Sequence, residues 1–217
     1  MKLAVTAVLC TALSASPSLA RAADATEAKP GKGTWIVTEV GASIWNASWS
    51  ASNADTGRFG RGGIDGAGVR VRTGILFGVA PGFALGPMAG GDMAFTRAST
   101  ELCCGKVSRV DTARVGVEGA WWPDPNVGFH VHAGFGLAAA ATRPDDAGRK
   151  NPGVLGAAYP SGSYFTAAIA RDVRIGPRTR IGGVLRLEAD FLAGDDGPAA
   201  YRMHTFLPSL SLVVLTQ

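Results

Sequence analysis

Between residues 69 and 79 the chain alternates with a period of two. Val69, Val71, Thr73, Ile75, Phe77 and Val79 fall on one face, and Arg70, Arg72, Gly74, Leu76 and Gly78 fall on the other. Alternation sustained over so many residues marks a strand with one apolar and one polar side. Eight such segments recur, at about 34–46, 65–80, 83–97, 109–122, 127–141, 163–176, 179–192 and 203–216. Each is far longer than the roughly 5–6 residues of an average strand and exceeds the ~9–11 tilted residues that cross a bilayer. Glycine recurs inside these apolar stretches, which helices tolerate poorly.

The connections alternate in length. Ala80-Pro81-Gly82, Pro123-Asp124-Pro125 and Gly176-Pro177-Arg178 read as tight turns, built from residues that fix or free the backbone angle. Between them lie polar stretches read as long loops, at roughly 47–64, 98–108, 142–162 and 193–202. Short turns at one end and long loops at the other are the plan of a membrane-spanning barrel. The fold class expected is therefore all-β, an eight-stranded antiparallel up-and-down transmembrane barrel.

The two faces differ in chemistry. One series carries Val115, Val117 and Trp121; Phe129, Val131, Ala133, Phe135 and Leu137; Ile181, Leu185, Leu187 and Phe191; Leu210, Leu212 and Val214. The alternate series carries Arg114 and Glu118; His130 and His132; Arg186, Glu188 and Asp190; Ser209 and Ser211. Adding the other strands places six acids (Glu39, Asp92, Glu118, Asp172, Glu188, Asp190) against five arginines (Arg70, Arg72, Arg114, Arg174, Arg186) on one side. Acids and bases in near balance can neutralise one another inside a narrow barrel, where an unpaired charge is costly. Arginine suits such dense pairing with carboxylates, and after residue 32 the only lysines are Lys106 and Lys150. The lumen network expected is thus Glu39, Arg70, Arg72, Asp92, Arg114, Glu118, His130, His132, Arg174, Arg186, Glu188 and Asp190. Aromatic residues fall near strand ends, with Trp35, Phe77, Phe83, Trp121, Trp122 and Phe129 near the short turns. Trp45, Trp49, Phe95, Tyr164, Phe165, Phe191, Tyr201 and Phe206 fall toward the long loops. Two interfacial girdles are expected from this placement.

The first residues set the compartment. Lys2, the apolar stretch 3–13 and the small-residue site Ala20-Arg21-Ala22 have the three parts of a secretory signal peptide. The domain plan expected is a signal peptide at 1–22, a short lead at 23–33 and a barrel domain at 34–217. Without Lys2 and Arg21, the 21 basic residues fall to 19 against 17 acids. That balance, with no run of like charge, argues against a nucleic-acid partner. Of three cysteines Cys10 leaves with the signal peptide. The remaining vicinal pair, Cys103-Cys104, has no metal-ligand spacing.

Chemistry is sparse. His130-Val131-His132 has the look of a metal fragment, yet His204 falls near the opposite end of the strands, so three histidines do not converge. Gly63-Ile64-Asp65-Gly66-Ala67-Gly68 imitates a phosphate loop but opens a strand, not a helix. Asp195-Asp196-Gly197 lacks the alternating ligands and distal glutamate of a calcium loop. No catalytic, cofactor or metal residue is expected.

With these patterns in place the chain resembles the small eight-stranded outer-membrane proteins of the OmpA transmembrane-domain and OmpX kind, over nearly its whole mature length. The resemblance implies a barrel packed with a polar network and inserted by the outer-membrane assembly machinery. Outer-membrane lipid and lipopolysaccharide are its implied surroundings. The chain departs from that pattern at its end, Leu212-Val213-Val214-Leu215-Thr216-Gln217, which lacks a terminal aromatic. It departs again at Arg171, which falls in the lipid-facing series and reads as snorkelling to the near interface or as a bulge. Two other readings of the fold were weighed. Gly33-Thr34-Trp35 imitates the opening strand of a soluble, lipocalin-like ligand-binding barrel. A lipid A-modifying barrel enzyme would need a His-x-Ser pair on the lipid face, and His204-Thr205 is the nearest imitation.

Overall fold

The computed structural model describes residues 33–55, 57–99, 107–124, 126–144, 159–196 and 199–217. The signal segment, most of the lead and Cys103-Cys104 lie outside them. Eight strands follow one another: β1 (Thr34–Asn53), β2 (Arg58–Ala80), β3 (Phe83–Ser99), β4 (Val107–Asp124), β5 (Phe129–Pro144), β6 (Ser161–Arg174), β7 (Thr179–Asp196) and β8 (Ala199–Thr216). Each pairs antiparallel with its neighbours in sequence, and β1 pairs with β8 to close the ring. Closure leaves no free edge, so every strand finds ladder partners on both sides.

Short turns join the strands at one end. Gly82, at φ 71°, lets two residues connect β2 to β3, and Gly128, at φ 74°, ends the β4–β5 turn. Both glycines occupy left-handed backbone that side chains rarely adopt. Trp122 N–H donates to the Gly82 carbonyl, and Asp172 N–H donates to that of Gly128, tying each turn to a neighbouring strand.

At the other end the strands run further than the apolar pattern suggested. The stretches 47–53 and 58–64, expected in a loop, form a continuous ladder from Ala47↔Ile64 to Asn53↔Arg58. The stretch 193–202 likewise belongs mostly to β7 and β8, paired as far as Asp196↔Ala199. The apolar face stops at the edge of the hydrocarbon, but backbone pairing does not need lipid. Ala47, Trp49 and Ile64 still point inward there while Ser48 points outward. Pairing reaches less far between β5 and β6, ending at Ala139↔Ser161.

Phase decides what the barrel is. Leu212 is 65% exposed, Phe135 63% and Ile44 62%, whereas Arg186, Glu39 and Asp190 are 0%. The apolar series faces outward and the charged series inward, as expected of a spanning barrel and opposite to a soluble one with an apolar lumen. Arg171 is exposed on the outer face, at the short-turn end of a regular β6, opposite Phe129.

The girdle expectation needs correction. Trp35, Trp45, Trp49 and Trp122 are buried inside, and only Trp121 faces out, at 51% exposure. All four share the phase of the charged series, and two of them have a glycine as cross-strand partner. Gly66 stands opposite Trp45 and Gly62 opposite Trp49, so large side chains on β1 lie over bare backbone on β2. The outer aromatics are mostly phenylalanines: Phe77 and Phe129 near the short turns, Phe95, Phe165, Phe191 and Phe206 toward the other end.

Candidate functional site: a charged layer closed above and below

Five strands send charge to the middle of the lumen. Arg186 on β7 holds two carboxylates: its Nη2 donates to Glu39 Oε1 at 2.6 Å, and its Nη1 to Glu118 Oε2 at 2.9 Å. Arg114 on β4 grips Asp190 across the barrel with Nε and Nη2 at 2.8 and 2.7 Å, and its Nη1 donates to Asp92. Arg70 on β2 donates through Nε to Asp92 Oδ1 at 2.9 Å, through Nη2 to Glu188 Oε2 at 2.5 Å and through Nη1 to Ser209 Oγ at 2.6 Å. Arg72 completes the set with a 2.8 Å bond to Glu118 Oε2. Asp92 is paired by Arg70 and Arg114 from the two adjacent strands, whereas the pairs Arg186–Glu39, Arg186–Glu118, Arg114–Asp190, Arg70–Glu188 and Arg72–Glu118 join strands that are not neighbours and act as struts across the ring.

The forked guanidinium is what makes this possible. One arginine presents several donors in a plane and can serve two carboxylates at once. Hydroxyls fill remaining sites. Thr205 donates to Asp190 Oδ2 at 2.5 Å, and Thr166 Oγ1 accepts from Arg186 Nη1 at 2.9 Å.

His132 joins this layer, with Nδ1 2.7 Å from Glu118 Oε1. His130 lies nearer the short turns, its ring stacked on Trp122 at 4.8 Å and tilted to His132 at 4.7 Å. Its Nδ1 is 3.2 Å from the Gly128 carbonyl and 3.3 Å from Asp172 Oδ2. Among the described residues no three His, Cys, Asp or Glu side chains are arranged to hold a metal. His204 is exposed on the outer face at the far end, against Phe191.

Eleven of the twelve residues expected in the lumen are thus buried there: Glu39, Arg70, Arg72, Asp92, Arg114, Glu118, His130, His132, Arg186, Glu188 and Asp190. Arg174 is not. It is exposed at the end of β6 and donates to the carbonyls of Gly176 and Pro177 in the turn. Two residues beyond Asp172 the lumen has ended, so its side chain bends to the turn. The base that meets Asp172 is Arg180, buried and ion-paired to it. Counting back in twos from Arg186 through Val184 and Gly182 would have found it. Its nearness to Gly176-Pro177-Arg178 hid it.

Apolar layers close both sides. Toward the short turns lie Trp35, Val37, Leu76, Met88, Trp122, Val184, Val213 and Leu215. On the other side lie Trp45, Trp49, Ile64, Val110, Tyr164, Leu192, Met203 and Leu207. Chemically, the arrangement can brace the ring. It offers no nucleophile aligned with a base and no vacant ligand set.

A closed eight-stranded barrel that is apolar outside and charged inside has the architecture of a transmembrane β-barrel. Its fold is that of the small outer-membrane barrels. It matches the outer membrane protein OprG from Pseudomonas aeruginosa at a TM-score of 0.52 and 9% identity, over 87% of this chain and 98% of that one. Neisserial surface protein A gives a TM-score of 0.45 at 10% identity, over 87% and 99% of the two chains. Ail, the attachment invasion locus protein of Yersinia pestis, gives 0.45 at 9% identity, over 83% and 99%. No family model and no curated protein matches the sequence.

Proposed function

We propose that the chain is an outer-membrane barrel, exported through the cleaved segment 1–22, whose role is structural or is carried by its outward loops, without catalysis. The observation that carries this reading is the inverted phase, with an apolar belt outside and a neutralised charge layer inside. Such a surface is stable in lipid and aggregates in water. Insertion by the outer-membrane assembly machinery and contact with outer-membrane lipid and lipopolysaccharide follow from that location.

Fractionation and gel migration test it together. The mature protein is expected in the outer-membrane fraction, soluble only in detergent, with unheated protein migrating apart from boiled protein. Recovery as a soluble periplasmic species would overturn the reading. Absence of catalysis is tested by comparing the mass of lipid A from cells with and without the protein. An unchanged acyl count is expected, and a changed one would make the barrel a lipid-modifying enzyme.

A further inference from the structure

Just above the apolar belt, the outer face of β8, β1 and β2 turns abruptly polar and basic. Arg61 on β2 and Arg202 on β8 both stand opposite Ser50, one on each side of β1. One outward position lower, Gly63 and His204 both stand opposite Ser48. A depression of about 490 Å³ is lined by Ser48, Trp49, Ser50, Arg61, Gly62 and His204, and Arg202 stands at its rim by its register with Ser50. Neighbouring strands are spaced ~4.8 Å apart, which puts the two arginine backbones about 10 Å apart, within reach of one small anion.

On the opposite wall, basic side chains at this height share a carboxylate. On β4 and β5, Arg109 and Arg143 both pair with Asp111, at 2.5 and 3.0 Å. Arg61 and Arg202 form no ion pair with any described residue. Outward carboxylates on these strands include Asp65, opposite Asn46, and Asp195, opposite Ala200. Neither is joined to them.

Directly below, the surface is built for acyl chains. Phe206 and Leu210 continue down β8 at 52% and 66% exposure, and His204 sits edge-on to Phe191 at 5.4 Å between rings. An anion held here as a free ion would leave this apolar track uncovered. An anion carried on a lipid would cover it.

We propose that Arg61, Arg202 and His204, around the Ser48–Ser50 floor, form a binding site for the phosphorylated head group of an outer-leaflet glycolipid, whose acyl chains lie along the β8 face. The site rests on the outer-membrane reading above. Paired guanidinium groups match phosphate oxygens through charge-assisted, forked hydrogen bonds. The serine hydroxyls supply neutral donors, and the imidazole adds a third nitrogen donor.

Fluorescent lipid A titrated into the folded barrel in zwitterionic micelles tests this. Substituting R61E and R202E together is expected to weaken binding at least about tenfold, the loss of one charge-assisted bond or more. R61K with R202K retains most of the affinity, and R109A with R143A leaves it unchanged. Lipid A stripped of its phosphates binds the wild type as weakly as intact lipid A binds the glutamate variant. Millimolar inorganic phosphate does not displace the lipid. Equal affinity for the variant, or for dephosphorylated lipid, would overturn the site. Displacement by inorganic phosphate would make it a free-anion site and overturn the lipid assignment. The heat shift on a gel separates the two levels: its absence in the wild type defeats the outer-membrane reading, whereas a folded barrel indifferent to lipid phosphate defeats only this site.

Discussion

Arg186 shows how much can depend on one side chain inside such a ring. It is fully buried and bonded to Glu39 and Glu118, which come from two other strands. Replacing it with methionine keeps the volume but leaves Glu39 without its shortest partner and Glu118 short of one. Breaking a buried pair from one side costs about 3–5 kcal/mol, which should appear as a lower urea midpoint for the refolded barrel. Adding Glu39→Gln should recover part of the loss, because the charge stranded by the first substitution is removed, whereas Glu118 keeps Arg72 and His132. Tyr164 gives a steric counterpart. A Cβ at Gly136 would lie 2.7 Å from Tyr164 Cε1, so the ring rests on bare backbone. Gly136→Leu should therefore cost about 1–3 kcal/mol through overpacking, read by the same urea titration. Most of these residues were legible in the sequence, because a period of two assigns every second residue to one compartment. Arg174 and Arg180 were not, because alternation cannot say where the lumen stops. The indoles show a different limit: distance from the turns suggests a girdle, whereas their phase along the strand puts four of the five inside.

At the scale of the strand, type and order were legible but length was not. Hydropathy of the outer face reports the lipid boundary, and β1, β2, β7 and β8 continue past it on ladder hydrogen bonds and an inward cluster that includes Trp49, Ile64 and Met203. Position along β1 should therefore set the cost of a charge. Val40 pairs with Leu212 and lies in the belt, whereas Ser48 pairs with His204 above it. Val40→Arg should destabilise the barrel in vesicles by about 2–4 kcal/mol, and Ser48→Arg by about 0–1. Equal costs would mean that the belt has been placed at the wrong height. The turns offer a second test. Gly82 at φ 71° tolerates Asn better than Val, since left-handed backbone costs a side chain about 1–3 kcal/mol. Gly82→Val should slow refolding in micelles more than Gly82→Asn, followed by the gel shift over time.

As a whole, the molecule is a tube filled in three layers, with aromatic and aliphatic side chains on either side of a charged one. Eight strands leave a lumen just wide enough for side chains, and here they occupy it. Wild-type protein in planar bilayers should show no steady conductance. A sustained open current would contradict the packing described. What the loops at the far end touch was not legible in the sequence. Loop contacts depend on side chains whose order follows no period. The charged layer also bears on assembly. Its ions come from β1, β2, β3, β4 and β7, and Arg186, Glu188 and Asp190 on β7 find their ion partners only on strands that are not adjacent. A sheet lacking β7 would leave Arg114 with Asp92 alone and Glu39 with only the 3.9 Å contact to Arg72. The next-to-last strand therefore supplies the ions that complete the layer, so the full ionic network exists only in a sheet that is nearly closed.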